Sequence, residues 1–145
     1  MVASQYPNKP QPLWNLPGGR QLPAELLEET VVREVFEETG LRVTAGEVAY
    51  VSESYDGDTH FVNVTFGVIL SADAKRRSRR AKGENDGGED HVVAVEWVPL
   101  EQVRERIVVA VVREPLLAYL DERLGRRYAG FHDAGITIEW PQGSS

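Results

Sequence analysis

Helical and strand patterns alternate along this chain, which predicts a mixed α/β fold. Two observations carry that expectation. Between Pro23 and Gly40 the residues run as an amphipathic helix with a glycine stop. Beyond it, Val43–Val51, Phe61–Leu70 and Val92–Val98 read as strands, the second alternating Phe61, Asn63 and Thr65 against Val62, Val64 and Phe66. Strands interleaved with helices in this order suit a mixed β-sheet sandwiched between helices. The 145 residues are expected to form a single domain with enough chain to bury a real core.

Taken in order, Tyr6 to Pro12 is rich in proline and polar residues and reads as a loop. Pro17-Gly18-Gly19 is a turn that lets backbone approach a ligand closely. In the helix that follows, Val31, Val32, Val35 and Phe36 form an apolar side expected to face the core. Asp56-Gly57-Asp58 supplies a hairpin turn between the first two strands. Residues from about 72 to 90 form a long flexible loop, basic from Lys75 to Lys82 and then acidic at Glu84, Asp86, Glu89 and Asp90. Its basic part has no interleaved aromatics, so it reads as a solvated run rather than an RNA-binding strip.

Pro99-Leu100-Glu101 opens a short helix. Ile107 to Val112 is aliphatic throughout and fits either state. The region from about 113 to 140 is expected to hold a helix, Glu114–Leu124, with Leu116, Leu117, Leu120 and Leu124 inward, and a strand, Ile136–Trp140.

Composition narrows function. A net charge of −7 disfavours nucleic acid and anionic membrane as partners. No run approaches 18 apolar residues, so no membrane-spanning helix is expected. With no cysteine, disulfides, thiolate metal sites and a cysteine nucleophile are excluded. The absence of a charged-then-apolar leader makes a cytoplasmic setting the default expectation.

Chemistry concentrates at the end of the first helix. Glu34, Glu37 and Glu38 are spaced i, i+3, i+4, which places them within roughly 100° of one helix face. Like charges at i,i+4 cost about 0.2–0.5 kcal/mol per pair. Anions in a last turn also face the negative end of the helix dipole, at about 0.3–1 kcal/mol each. A helix selected for stability alone would carry these residues in its first turn. Their position points to a bound cation, which an acidic protein handling a phosphate substrate would also require.

The residues around them form a known pattern. Gly19, five residues, Glu25, seven residues, then Arg33-Glu34-Val35-Phe36-Glu37-Glu38-Thr39-Gly40-Leu41 resembles the Nudix box at every specified position. Seven fixed identities at residue frequencies of about 7% coincide by chance at on the order of 10⁻⁸ per register. Trp14-Asn15-Leu16-Pro17-Gly18 is similar to the family's usual lead-in, and Glu96 to Glu101 resembles its last strand and helix start.

The resemblance implies a Nudix hydrolase that uses water and Mg²⁺, or alternatively Mn²⁺, to split a pyrophosphate linkage in a small nucleotide. It implies Glu37 and Glu38 as main metal ligands, joined by the Gly18 carbonyl and Glu34. Arg33 would hold the carboxylates in place, and Glu25 would serve as a ligand or as support for one. Glu34 is one candidate to orient or deprotonate the water. Family members also place this base on a late loop, where Glu89 is the first choice, with Asp90 and Glu84 as alternatives. Tyr55 and Phe61 lie near where relatives hold a base or ribose.

The proline that accompanies ADP-ribose specificity is absent around Ser54–Asp56, and so is the coenzyme A signature. A nucleoside triphosphate and a nucleotide sugar therefore both remain open as substrates. The rival reading is a Nudix-fold nucleotide sensor without turnover. Family members also carry one or two strands before the lead-in, where only Met1 to Leu13 is available here. Either the start is truncated or another segment fills the gap, and the expected cover for the open edge is Ile136–Trp140 of the same chain or of a homodimer partner.

Overall fold

The computed structural model describes residues 1–72, 91–123 and 125–140. Its elements follow the order β1 (Val2–Ser4), β2 (Leu13–Asn15), α1 (Leu27–Thr39), β3 (Val43–Asp56), β4 (Thr59–Leu70), β5 (Val92–Val95), a 3₁₀ turn (Leu100–Gln102) continuing into α2 (Val103–Arg106), α3 (Ala110–Leu120) and β6 (Tyr128–Phe131). The expected mixed α/β architecture is present. None of the described helices is long and apolar enough to cross a membrane.

Among the described residues the strands form two three-stranded sheets. In one, β1 lies between β2 and β5, antiparallel to both, with Ala3 opposite Trp14 on one side and Ala94 on the other. In the other, β3 lies between β4, antiparallel, and β6, parallel. The long β3–β4 hairpin runs in register from Tyr50 opposite Thr65 to Asp56 opposite Thr59, and it is irregular between Ala45 and Tyr50. Gly57 closes the hairpin at positive φ, as a tight turn requires.

The core gathers Ala49 and Tyr50 of β3, Val103 of α2, Ile107, and Leu116 and Leu117 of α3. Met1, Leu16 and Val98 pack against it from the first sheet's side. The aliphatic run at Ile107–Val112 divides here: Ile107 is fully buried, and Ala110 begins α3. That helix starts four residues before the expected Glu114. Leu120 is partly buried, and Leu124 lies outside the described residues.

Several expectations are corrected. The chain does not lack a first strand, because β1 supplies the middle strand of a sheet. Three residues are too few to leave a periodic signal, so the strand is visible only through its partners. Ile136–Trp140 is not a strand and joins neither sheet of its own chain; the strand of that region is β6. The helix begins at Leu27, not near Pro23, because Leu22–Glu25 forms a turn with Ala24 at positive φ. Its end at Gly40, in the left-handed region with the amide on the Phe36 carbonyl, is as expected.

The buried face of α1 also differs from the expected apolar stripe. Of the apolar side, Val35 is buried, while Val32 and Phe36 are 37% and 39% exposed. Thr30, Glu34, Glu38 and Thr39 are the other buried positions. The acidic face therefore turns inward, towards the glycine turn.

Candidate metal and catalytic site

Two segments build the site. Strand β2 runs into Pro17-Gly18-Gly19, and α1 lays Glu34 and Glu38 against that elbow. The Gly18 amide donates to Glu38 Oε1 at 2.7 Å. A side chain on Gly19 would collide with the Glu34 carboxyl group, so the close approach requires a residue with no Cβ. Both residues are nearly inaccessible, at 3% for Glu34 and 4% for Glu38. Burying two carboxylates is costly unless they are hydrogen-bonded or paired, and the site supplies such partners.

Arg33 is the principal partner. Its Nε and Nη2 donate to the two oxygens of Glu25 at 2.7 and 3.0 Å, a bidentate fork. Its Nη1 donates to Glu34 Oε1 at 2.7 Å and Glu37 Oε2 at 3.1 Å. Nη2 also reaches the carbonyl of Arg20 at 3.0 Å. One planar cation thus ties three carboxylates to the glycine elbow. Glu25 in addition accepts from the Thr30 hydroxyl and the Leu22 amide. Its pKa is lowered to about 2, chiefly by the Arg33 hydrogen bonds, and that of Arg33 is raised, chiefly by Glu25.

Of the residues that sequence reasoning placed together, the structure joins Glu25, Arg33, Glu34 and Glu37 through one guanidinium and sets Glu34 and Glu38 against Gly19 and Gly18, while Gly40 serves as the helix cap. The carboxylate and carbonyl donors are all hard oxygens, as Mg²⁺ or Mn²⁺ prefers. Among the described residues, however, no cluster of three acidic or histidine side chains forms a ready cage for a metal ion. The carboxylates are instead drawn onto Arg33 and the Gly18 amide. The residues fit the group chemically, and coordination would require some of these bonds to be exchanged.

The remaining candidates fall elsewhere. Glu89, Asp90 and Glu84 lie outside the described residues. Tyr55 stacks face to face on His60, with ring centres 4.5 Å apart, and Phe61 pairs across the hairpin with Ser54. Nearby, Glu53 accepts from the Tyr128 hydroxyl and bonds His60 Nε2 at 2.7 Å. Sequence reading missed Thr30, which has no motif signal, and Arg20, whose role rests on a backbone carbonyl that no side-chain pattern reveals. It also missed the cluster of Tyr6, His91 and Trp140 beside Arg20.

Comparison with known proteins bears on both fold and site. A protein of Bacillus subtilis named "Putative 8-oxo-dGTP diphosphatase" is 62% identical over 67 residues, which cover 43% of this chain and 45% of that protein. The chain thus spans less than half the length of this curated relative. The crystal structure of a MutT protein from Methanosarcina mazei Go1 matches the fold with a TM-score of 0.58 at 23% identity, covering 85% of this chain and 83% of that one. The NUDIX domain family matches residues 1–120, from β1 through α3. With the elbow and acidic helix inside that span, the chain belongs to the Nudix family.

Proposed function

We propose that this protein is a divalent-metal-dependent pyrophosphohydrolase acting on a small nucleotide, with a nucleoside triphosphate as the first substrate to test. The observation that carries the reading is the gathering of Glu25, Glu34 and Glu37 on one guanidinium, with Glu38 on the adjoining glycine elbow. The name of the Bacillus subtilis relative favours a triphosphate over a nucleotide sugar. A cytoplasmic setting is consistent with this chemistry.

Glu37, Glu38, Glu34 and the Gly18 carbonyl would hold the cation, Mg²⁺ or Mn²⁺. When bound, it would neutralise charge on the phosphate oxygens and make an attacking water more acidic. Water adds to phosphorus, the anhydride P–O bond breaks, and two phosphate-bearing products leave. The proton of the water passes to a carboxylate. Glu34 is the candidate within the box, and Glu89 is the alternative outside it. Arg33 keeps the carboxylates aimed at the elbow while this happens.

The test is phosphate and pyrophosphate release across a nucleotide panel with Mg²⁺ or Mn²⁺. Glu37→Gln and Glu38→Gln should each lower turnover at least about 100-fold with the fold intact by circular dichroism. Full activity in both variants would remove the metal assignment.

A further inference from the structure

A strap crosses the molecule between residues 134 and 140. The Ala134 amide donates to the Tyr55 carbonyl at 2.7 Å. Asp56 accepts from the Thr137 hydroxyl at 2.9 Å and the Ile138 amide at 3.4 Å. Asn8 then grips the backbone as a strand partner would: its Nδ2 donates to the Thr137 carbonyl at 2.8 Å, and its Oδ1 accepts from the Glu139 amide at 3.1 Å. These bonds tie the strap to the hairpin tip and the N-terminal loop without a sheet ladder.

They also fix where Trp140 lies. Its ring meets Tyr6 and His91 edge to face, at 5.6 and 6.0 Å between centres. The guanidinium of Arg20 sits 5.4 Å from the same ring, within cation–π range. Arg20 follows the glycine pair directly, and its carbonyl is the backbone atom that Arg33 grips. Trp140 therefore connects to the acidic cluster in two steps: ring to Arg20 side chain, then Arg20 carbonyl to Arg33.

We propose that Trp140 is a positioning residue for the catalytic elbow, acting through Arg20. Two glycines leave that elbow with much conformational freedom. The Arg33 bond restrains it through the Arg20 carbonyl, and the strap restrains it through the Arg20 side chain. Pre-ordering the elbow lowers the entropy lost when the carboxylates close on a cation, so the strap contributes to metal affinity without touching the metal. This inference rests on the carboxylate site proposed above.

The experiment measures Mn²⁺ binding calorimetrically on the full chain without substrate, alongside amide hydrogen exchange at residues 18–22. Trp140→Ala should weaken Mn²⁺ binding about fivefold and speed exchange at the elbow. Trp140→Phe, which keeps a ring face, should restore most of both. Arg20→Ala keeps the carbonyl and removes only the side-chain tether, so it should reproduce Trp140→Ala. The double variant should be no worse than either single one, because both break the same connection. Arg20 is exposed, so its variant keeps the test open even if Trp140→Ala fails to fold.

Wild-type affinity and exchange in Arg20→Ala, or additive losses in the double variant, would overturn the proposal. Glu37→Gln and Glu38→Gln separate the two readings. If they bind Mn²⁺ as the wild type does, the carboxylate site fails. If they lose the metal while Arg20→Ala keeps it, only the strap fails.

Discussion

A guanidinium presents its N–H donors in one rigid plane, and Arg33 directs them at Glu25, Glu34, Glu37 and the Arg20 carbonyl together. A lysine ammonium can keep the charge but cannot reproduce the fork. Arg33→Lys should therefore lower kcat/KM about tenfold or more, measured under saturating Mg²⁺ with circular dichroism unchanged. The Glu25 limb of this cluster is readable through pH. Its pKa falls from 4.5 to about 2 on folding, so its stabilisation is complete above the unfolded value and disappears as pH drops through the folded one. The difference in denaturant midpoint between wild type and Glu25→Gln should hold steady above pH 4.5 and shrink towards pH 2. At this scale the sequence was most informative. Spacing placed the three glutamates on one helix face, because a helix fixes their relations locally, whereas Arg33 and the Gly18-Gly19 elbow were joined to them only by the resemblance to the Nudix box. Arg20 and Trp140 escaped notice because 120 residues separate partners that meet only after folding.

Among the elements, α1 gives the clearest lesson. Its valines and Phe36 look like a core stripe, yet the helix turns Glu34 and Glu38 inward and leaves Val32 and Phe36 half exposed. Hydrophobic periodicity assumes that burial follows apolarity. Here a paired guanidinium and a backbone amide satisfy the acids, so the site sets the orientation of the helix. Phe36 is instead covered in part by the Arg42 guanidinium, 4.6 Å from its ring centre. Two neighbouring substitutions should separate the faces: Val35→Ala should cost about 2 kcal/mol, and Val32→Ala within about 0.5 kcal/mol, both by urea denaturation. Equal costs would place the helix in the other orientation. The β3–β4 hairpin was the most legible element, since both long strands and their Asp-Gly-Asp turn carry local signals. Strand β6 carries none, because Tyr128–Phe131 is a strand only by virtue of lying along Val51–Ser54.

For the molecule as a whole, stability centres on Ile107, the one large side chain among the described residues with no exposure. It sits where α2, α3 and the Tyr50 segment of β3 converge. Ile107→Ala should cost about 3–4 kcal/mol, within the range for large-to-small changes in a packed core, and lower the melting temperature accordingly. The sequence showed that a mixed α/β core would form but not which residue would anchor it, since an aliphatic run such as Ile107–Val112 has no period to orient it. Another whole-molecule feature bears on time rather than on energy. The small sheet closes only when the segment beginning at Met1 meets the one ending at Glu96, joined by hydrogen bonds across 95 positions. The hairpin can zip locally, whereas this sheet must wait for a distant encounter whose entropic toll comes before any reward. Refolding should accordingly be slow for the chain's size, with amides of β1 gaining protection after those of β3 and β4.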